Sequence, residues 1–281
     1  MSSSIDYSIL FAVANDSGST NLLSTLYGMG GGVRSSATSS LAALQNAEKN
    51  QIKLVSVTAK EPAVARDIAA FKKAVASAKS PGELLDNPIA RKVLLTANGL
   101  GSYVDATALA KQALLSDPKD SKALVNRLTD TRWKSVAQTY AFATTGLAIL
   151  KDPATLATLA NAYAEVKWRH SLDATTPGLS NALAFRAGAA KVTSVDQILG
   201  DTVLRDVVTT ALGIPKEIAY QELPAQERAI SNRLDLNKLK DKHFVDSLTQ
   251  QYLVKKAEQA AGTSAQASLD QLVMRANGLV I

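Results

Sequence analysis

The chain has 281 residues, enough for one large domain or two small ones. It has no cysteine, which excludes disulfides, thiolate metal sites and cysteine nucleophiles together. Its 31 basic residues against 25 acidic ones give a net charge of +6. These basic residues are dispersed along the chain rather than gathered with aromatics, so they predict a solvated surface and no nucleic acid partner.

Alanine and leucine dominate, a composition that favours helix. No segment has the apolar length needed to span a bilayer, so no transmembrane segment is expected. The start, "MSSSIDYSILFAVANDSGS", has only Asp6 before its short apolar run and lacks a basic leader, so a cleaved secretory signal is not expected. Such a start is compatible with export by a type III apparatus, and equally with a plain cytoplasmic terminus. Residues 1–34, closed by "YGMGGGVRSS", read as a flexible segment uncoupled from the rest of the chain. A long helix is predicted over 35–59, carrying Leu41, Leu44, Ile52 and Leu54. Within it "QIKLVSVTA" alternates briefly, but no partner strand is in reach. The next helix is predicted from Glu61 to Ala78, with Pro62 in its first turn.

From Ser80 the chain writes a phrase that it uses again from Ser194, "SPGELLDNPIARKVLLTANG" and "SVDQILGDTVLRDVVTTALG". The copies lie 114 residues apart and share seven identities. Each opens on a capping box, S-x-x-E or S-x-x-Q, in which the hydroxyl accepts from an early orphan N–H. A short helix comes next, then a break at Asn87-Pro88 or Asp201-Thr202, then a helix with one apolar face. Gly99 and Gly213 stand where a left-handed residue ends a helix. Phe71 and Phe185 keep the same offset; "NRL" recurs at 126–128 and 232–234, and Asp130 and Asp241 each precede an aromatic-led helix. A helix from Pro153 to Leu172 joins the copies, and a last helix over 264–281 is set apart by Gly262-Thr263-Ser264.

The predicted fold is therefore all-α, with two related multi-helix lobes from an internal duplication joined by a long helix. The segments are a flexible 1–34, a first lobe over 35–150, the joining helix over 151–174, a second lobe over 175–260, and a C-terminal helix over 261–281. Leu85 is expected to match Leu199, Phe71 to match Phe185, and Trp133 to match Phe244.

Chemistry-bearing patterns are sparse. "GMGGGVRSS" lacks the strand and the Lys-Ser/Thr of a phosphate loop and reads as a linker. His170 and His243 form no H-x-x-x-H pair, so no metal and no cofactor are expected. His243 stands where the first copy has Arg132, which suggests an exposed helix surface. Asp130 and Asp241 are explained as N-caps. Arg127 and Arg233 either meet acidic partners or pair within each lobe. No catalytic residue is assigned. Candidate partner contacts are Trp168, flanked by charge on the joining helix, and Leu279, Val280 and Ile281 at the C-terminus.

The phrases from Ser80 and Ser194, with "NRLTDTRWKSVAQTYAF" and "ISNRLDLNKLKD", resemble domain-of-unknown-function family 1217 over residues 40–259. That family is found mainly in alphaproteobacteria, and its members are often encoded beside flagellar basal-body rod and export genes. The resemblance implies a non-enzymatic structural or assembly role at the flagellum or basal body, through contacts with flagellar partners or with itself. It supplies no catalytic residues. Two alternatives stay open: a cytoplasmic export chaperone, and a metal-independent enzyme with a cleft between the lobes.

Overall fold

A computed structural model describes the backbone of residues 31–276 and the side chains of residues 38–263. Every regular element in it is helical. The chain runs α1 (Gly31–Thr58), α2 (Pro62–Ser77), α3 (Pro81–Asp86), α4 (Pro88–Ala97), α5 (Thr107–Leu114), α6 (Arg132–Tyr140), α7 (Phe142–Thr145), α8 (Ala148–Lys151) and α9 (Pro153–Leu172). It continues with α10 (Leu179–Gly188), α11 (Val195–Gly200), α12 (Thr202–Ala211), α13 (Leu223–Ser231) and α14 (Lys242–Ala276), with short 3-10 turns between. No helix among the described residues is long and apolar enough to cross a membrane.

The repeated phrase folds as the same unit twice. Ser80 Oγ accepts from Glu83 N at 3.2 Å, and Ser194 Oγ accepts from Gln197 N at 3.3 Å. The return bonds run to the preceding residue: Lys79 N donates to Glu83 Oε2 at 2.9 Å and Thr193 N to Gln197 Oε1 at 2.8 Å. Asn87 and Asp201 then cap α4 and α12, each accepting from the backbone N–H groups of the second and third helical residues. Arg91 and Arg205 each donate to a carbonyl six residues back, Leu85 O at 2.7 Å and Leu199 O at 2.8 Å. Both helices end on a glycine with positive φ, Gly99 at 76° and Gly213 at 62°. The next residue's N–H reaches back five residues in each, which satisfies a terminal carbonyl.

The two lobes have separate cores. Phe71, Leu85, Val93, Leu94, Trp133 and Tyr163 belong to the first, and Phe185, Leu199, Val207, Val208 and Tyr252 to the second. Two helices straddle them. α9 gives Leu159 and Tyr163 to the first core and Trp168 to the second; α1 gives Leu44 and Ala47 to the second core and packs Val55 against both. The structure thus divides the chain differently from the sequence, which places residues 35–59 wholly in the first lobe.

The downstream pairing also differs. Trp133 is buried in the first core, whereas Phe244 is half-buried at the rim of the second. The better match to Asp241 is Asp152, because "LKD" occurs at 150–152 and 239–241, 89 residues apart. Leu150 and Leu239 are both buried; Asp152 caps α9 through Thr155 N at 2.8 Å, and Asp241 accepts from His243 N at 2.9 Å. At the same offset Leu159 matches Leu248, Tyr163 matches Tyr252 and Lys167 matches Lys256. α9 and α14 therefore take corresponding places against their lobes.

Three expectations about the ends and the first helix change. α1 begins at Gly31, inside the segment read as flexible, while residues 1–30 lie outside the described residues. Ile52 is 90% exposed because helical rotation turns it away from the Leu44–Ala47 face. Gly262-Thr263-Ser264 does not interrupt the C-terminal helix, which runs unbroken from Lys242 to Ala276. Thr263 donates its hydroxyl to Gln259 O at 2.9 Å, the i−4 bond that lets a threonine remain inside a helix.

Candidate functional site

The lobes meet at a knot built around Arg132, the first residue of α6. Asp130 bonds the Arg132 backbone N–H at 3.1 Å, which places the side chain. The guanidinium forks onto the same carboxylate, Nε to Oδ1 at 2.9 Å and Nη2 to Oδ2 at 2.7 Å. Its Nη1 donates to Gly99 O at 2.7 Å and lies 3.3 Å from Asp201 Oδ2 in the other lobe. Asp201 uses its remaining oxygen, Oδ1, to cap α12. Burial alone would weaken the Arg132 charge, but Asp130 and Asp201 outweigh it and hold its pKa above the ordinary value. Beside the knot, Gly200 lies so close to the Thr129–Asp130 backbone that a Cβ on it would be 2.5 Å from Thr129 O. Glycine is required there by backbone contact between lobes.

Above the knot opens a cleft of about 1040 Å³ between the lobes. One wall comes from α4 and α6, another from α9, and a third from α10, its following 3-10 turn and α12. Its ionisable lining is Arg132, Lys134, Lys167, Arg169, His170 and Lys191, against Asp201. Arg132 and Asp201 are spent on each other. Arg169 lies 3.6 Å from Glu165, whose Oε1 also accepts from Gln51 Nε2 at 3.1 Å. Burial pushes Arg169 below its ordinary value and Glu165 only partly restores it. Lys134 and Lys191 are exposed, with no carboxylate within 4.0 Å among the described residues. The cleft is therefore electropositive.

Each lobe also holds a buried tyrosine on a carboxylate. Tyr163 donates to Asp67 Oδ2 at 2.5 Å, where Lys92 also binds at 2.7 Å. Tyr252 donates to Asp206 Oδ2 at 2.7 Å, joined by Asn181 at 2.9 Å and Lys256 at 3.0 Å. At an offset of 114 residues Asp67 stands opposite Asn181 and Lys92 opposite Asp206, so the acid lies on the first helix of the pair in one lobe and on the second in the other. Burial raises both aspartates, but these donors outweigh it and keep both below the usual carboxylate range. Burial, with the adjacent carboxylate, drives both tyrosines far above their ordinary value. These clusters are full of internal partners and fasten α9 and α14 to their lobes.

The other residues singled out by sequence fall in diverse places. Trp168 is 3% exposed and packs in the second core, so it is not a surface contact. Its charged chain neighbours, Lys167 and Arg169, leave in other directions around α9. Leu279, Val280 and Ile281 lie outside the described residues. Arg132 is half-buried and bridges lobes, unlike the exposed His243 that sequence matched to it. His170 lines the cleft, 4.0 Å from Asp173. Arg233 donates to Ala229 O at 3.1 Å at the end of α13, and Arg127 is exposed. Among the described residues no group of histidine, aspartate and glutamate could hold a metal ion. Sequence reasoning missed Lys134 and Lys191, which are plain surface lysines until the fold brings α6 opposite the turn after α10.

A family model described as a protein of unknown function (DUF1217) matches residues 97–245, more than half of the chain. That span holds every residue lining the cleft except Thr96. No curated protein matches. The fold is similar to the X-ray structure of protein AGR_C_984 from Agrobacterium tumefaciens, with a TM-score of 0.66 and 22% identity. The likeness covers 78% of this chain and 93% of that one.

Proposed function

Because this chain belongs to the DUF1217 family, whose members are of unknown function, we propose its role from its surfaces and helices. In this reading it is a non-enzymatic structural or assembly protein of the bacterial flagellum, working by helix-mediated contacts with other proteins. The observation that carries the reading is the pairing of α1 with α14, the longest helices described, at 28 and 35 residues. These are the described helices nearest the two ends of the sequence, and they pack side by side against the second lobe. α14 runs on to Ala276, about 28 Å past Ala257, its last buried apolar residue among those described. A shaft of two long helices offers a neighbour an extended surface for coiled-coil-like packing. The flagellar element of the proposal rests on the genomic setting that the family resemblance implies, and with it a location at the flagellum or basal body.

Truncation after Ala261 tests the contact mechanism. The expected outcome is loss of motility or assembly with a nearly unchanged melt, because Ala257, the last buried apolar residue described, precedes the cut. A truncated protein that melts far lower, beside a monomeric full chain, would make the tail part of the fold and remove the mechanism. An export chaperone shares the helical architecture, and is separated by its permanent residence in the cytoplasmic fraction.

A further inference from the structure

We propose that the interlobe cleft is a receptor groove for an acidic peptide segment of a partner protein. This rests on the reading that the protein acts by contacts with other proteins, and it names the chemistry of one such contact. Three observations support it.

The first is charge. Lys134, Lys167, Arg169 and Lys191 face the cleft from three separate walls, and the one acidic side chain in the lining among the described residues, Asp201, is already held by Arg132 and by the start of α12. Cations in a concave, low-dielectric wall reinforce one another's field, which favours an anion there over one on a flat surface. The second is incomplete compensation. Arg169 is largely buried, yet its carboxylate partner stands 3.6 Å away and is shared with Gln51. Its lowered pKa, caused first by burial, agrees with a guanidinium that lacks a full counter-charge. Lys134 and Lys191 have no acidic neighbour within 4.0 Å among the described residues.

The third is the shape and chemistry of the remaining lining, which decides between anions. The cleft, at about 1040 Å³, is at the upper end of the range for small-molecule sites. Its cations come from three separate walls, an arrangement that can meet several acidic groups along a segment. Val166, Val203 and Leu204 lie among them, suited to apolar side chains between acidic ones. Among the described residues no Phe, Tyr or Trp lines it, so they provide no platform on which the bases of single-stranded nucleic acid would stack. An extended or helical segment that alternates carboxylates with aliphatic side chains matches this lining.

The test uses the full chain at about 0.15 M ionic strength, where the Debye length is about 8 Å, and a fluorescent peptide of alternating glutamate and leucine, with a lysine–leucine peptide as the opposite-charge control. The full chain binds the acidic peptide and not the basic one. The variant K134E/K191E weakens binding at least about tenfold, since like charges then face the ligand. K72E/K73E, which changes net charge equally on the exposed face of α2, leaves affinity within about twofold once long-range attraction is screened. If K134E/K191E melts lower than the parent, the neutral pair K134Q/K191Q replaces it and still weakens binding. Equal weakening by K72E/K73E would show a bulk charge effect and overturn the proposal. So would unchanged affinity in the cleft variants, or preferential binding of a single-stranded oligonucleotide or of pyrophosphate. Peptide binding by a protein confined to the cytoplasmic fraction would keep the groove and remove the flagellar role. Loss of the groove with retained flagellar fractionation would do the reverse.

Discussion

Replacing Gly200 with alanine puts a methyl group where the two lobes touch through their backbones. An added Cβ would stand 2.5 Å from Thr129 O, 2.8 Å from the Thr129 carbonyl carbon and 3.1 Å from Asp130 N. All three are main-chain atoms, so no rotamer change relieves the clash. Ordinary contact begins at 3.4 Å, so the lobes must part locally by about 0.9 Å. The Arg132–Asp201 contact, already 3.3 Å long, spans the same joint and lengthens with it. Overpacking of this kind costs about 1–3 kcal/mol. At about 2–4 °C per kcal/mol for a protein of this size class, the melting temperature falls by roughly 2–12 °C. Calorimetry measures that fall. The native chain has no cysteine, so spin labels at Lys134→Cys and Lys191→Cys report the width of the cleft without further engineering. A widened label distance together with a lower melt is the expected result. An unchanged melt with an unchanged distance would mean that Gly200 does not meet Thr129, and the interlobe joint would be wrongly described.

Leu94→Ala, at a fully buried site in the first core, is expected to cost about 2–5 kcal/mol in urea unfolding. Ser80→Ala and Ser194→Ala each lose a helix cap, and each costs about 1 kcal/mol by the same assay. Stability against pH should fall at both extremes. Asp67 and Asp206 are depressed in the folded state, so their contribution is complete above the ordinary carboxylate value, about 3.9, and is lost as pH falls through their folded values. Tyr163 and Tyr252 are raised, so theirs is complete below about 10 and is lost as pH rises beyond it. Tyr252→Phe removes one hydrogen bond from Asp206 and flattens both limbs, as denaturant midpoints across pH would show.

Features written within a few residues were legible in the sequence. Ser80 to Glu83, Ser194 to Gln197, and Gly99 and Gly213 are local signals, and each forms the hydrogen bonds its chemistry dictates. Features that depend on phase or on tertiary neighbours were not. Trp168 sits among charges along the chain, but a helix separates adjacent side chains by about 100°, and its ring faces the second core. The recurring "NRL" misled the alignment of the lobes: Asn126 ties a loop to Pro118 O and Asp120 O, whereas Arg233 closes the end of α13. The working register was written in "LKD" and in the spacing of Leu159, Tyr163 and Lys167 against Leu248, Tyr252 and Lys256, and the 25-residue difference in offset hid it. Superposition of residues 62–172 on 179–257 is the natural test of a shared lobe. The cleft was not legible because its cations are ordinary lysines and arginines until the Arg132 knot brings the lobes together.

The proposed role, joining other proteins at the flagellum, is tested most directly by fractionating tagged full-length protein between cytoplasm and purified hook–basal bodies. The protein is expected to co-purify with hook–basal bodies, and truncation after Ala261 is expected to release it. Full-length protein found wholly in the cytoplasmic fraction, while known basal-body proteins are recovered, would contradict that role.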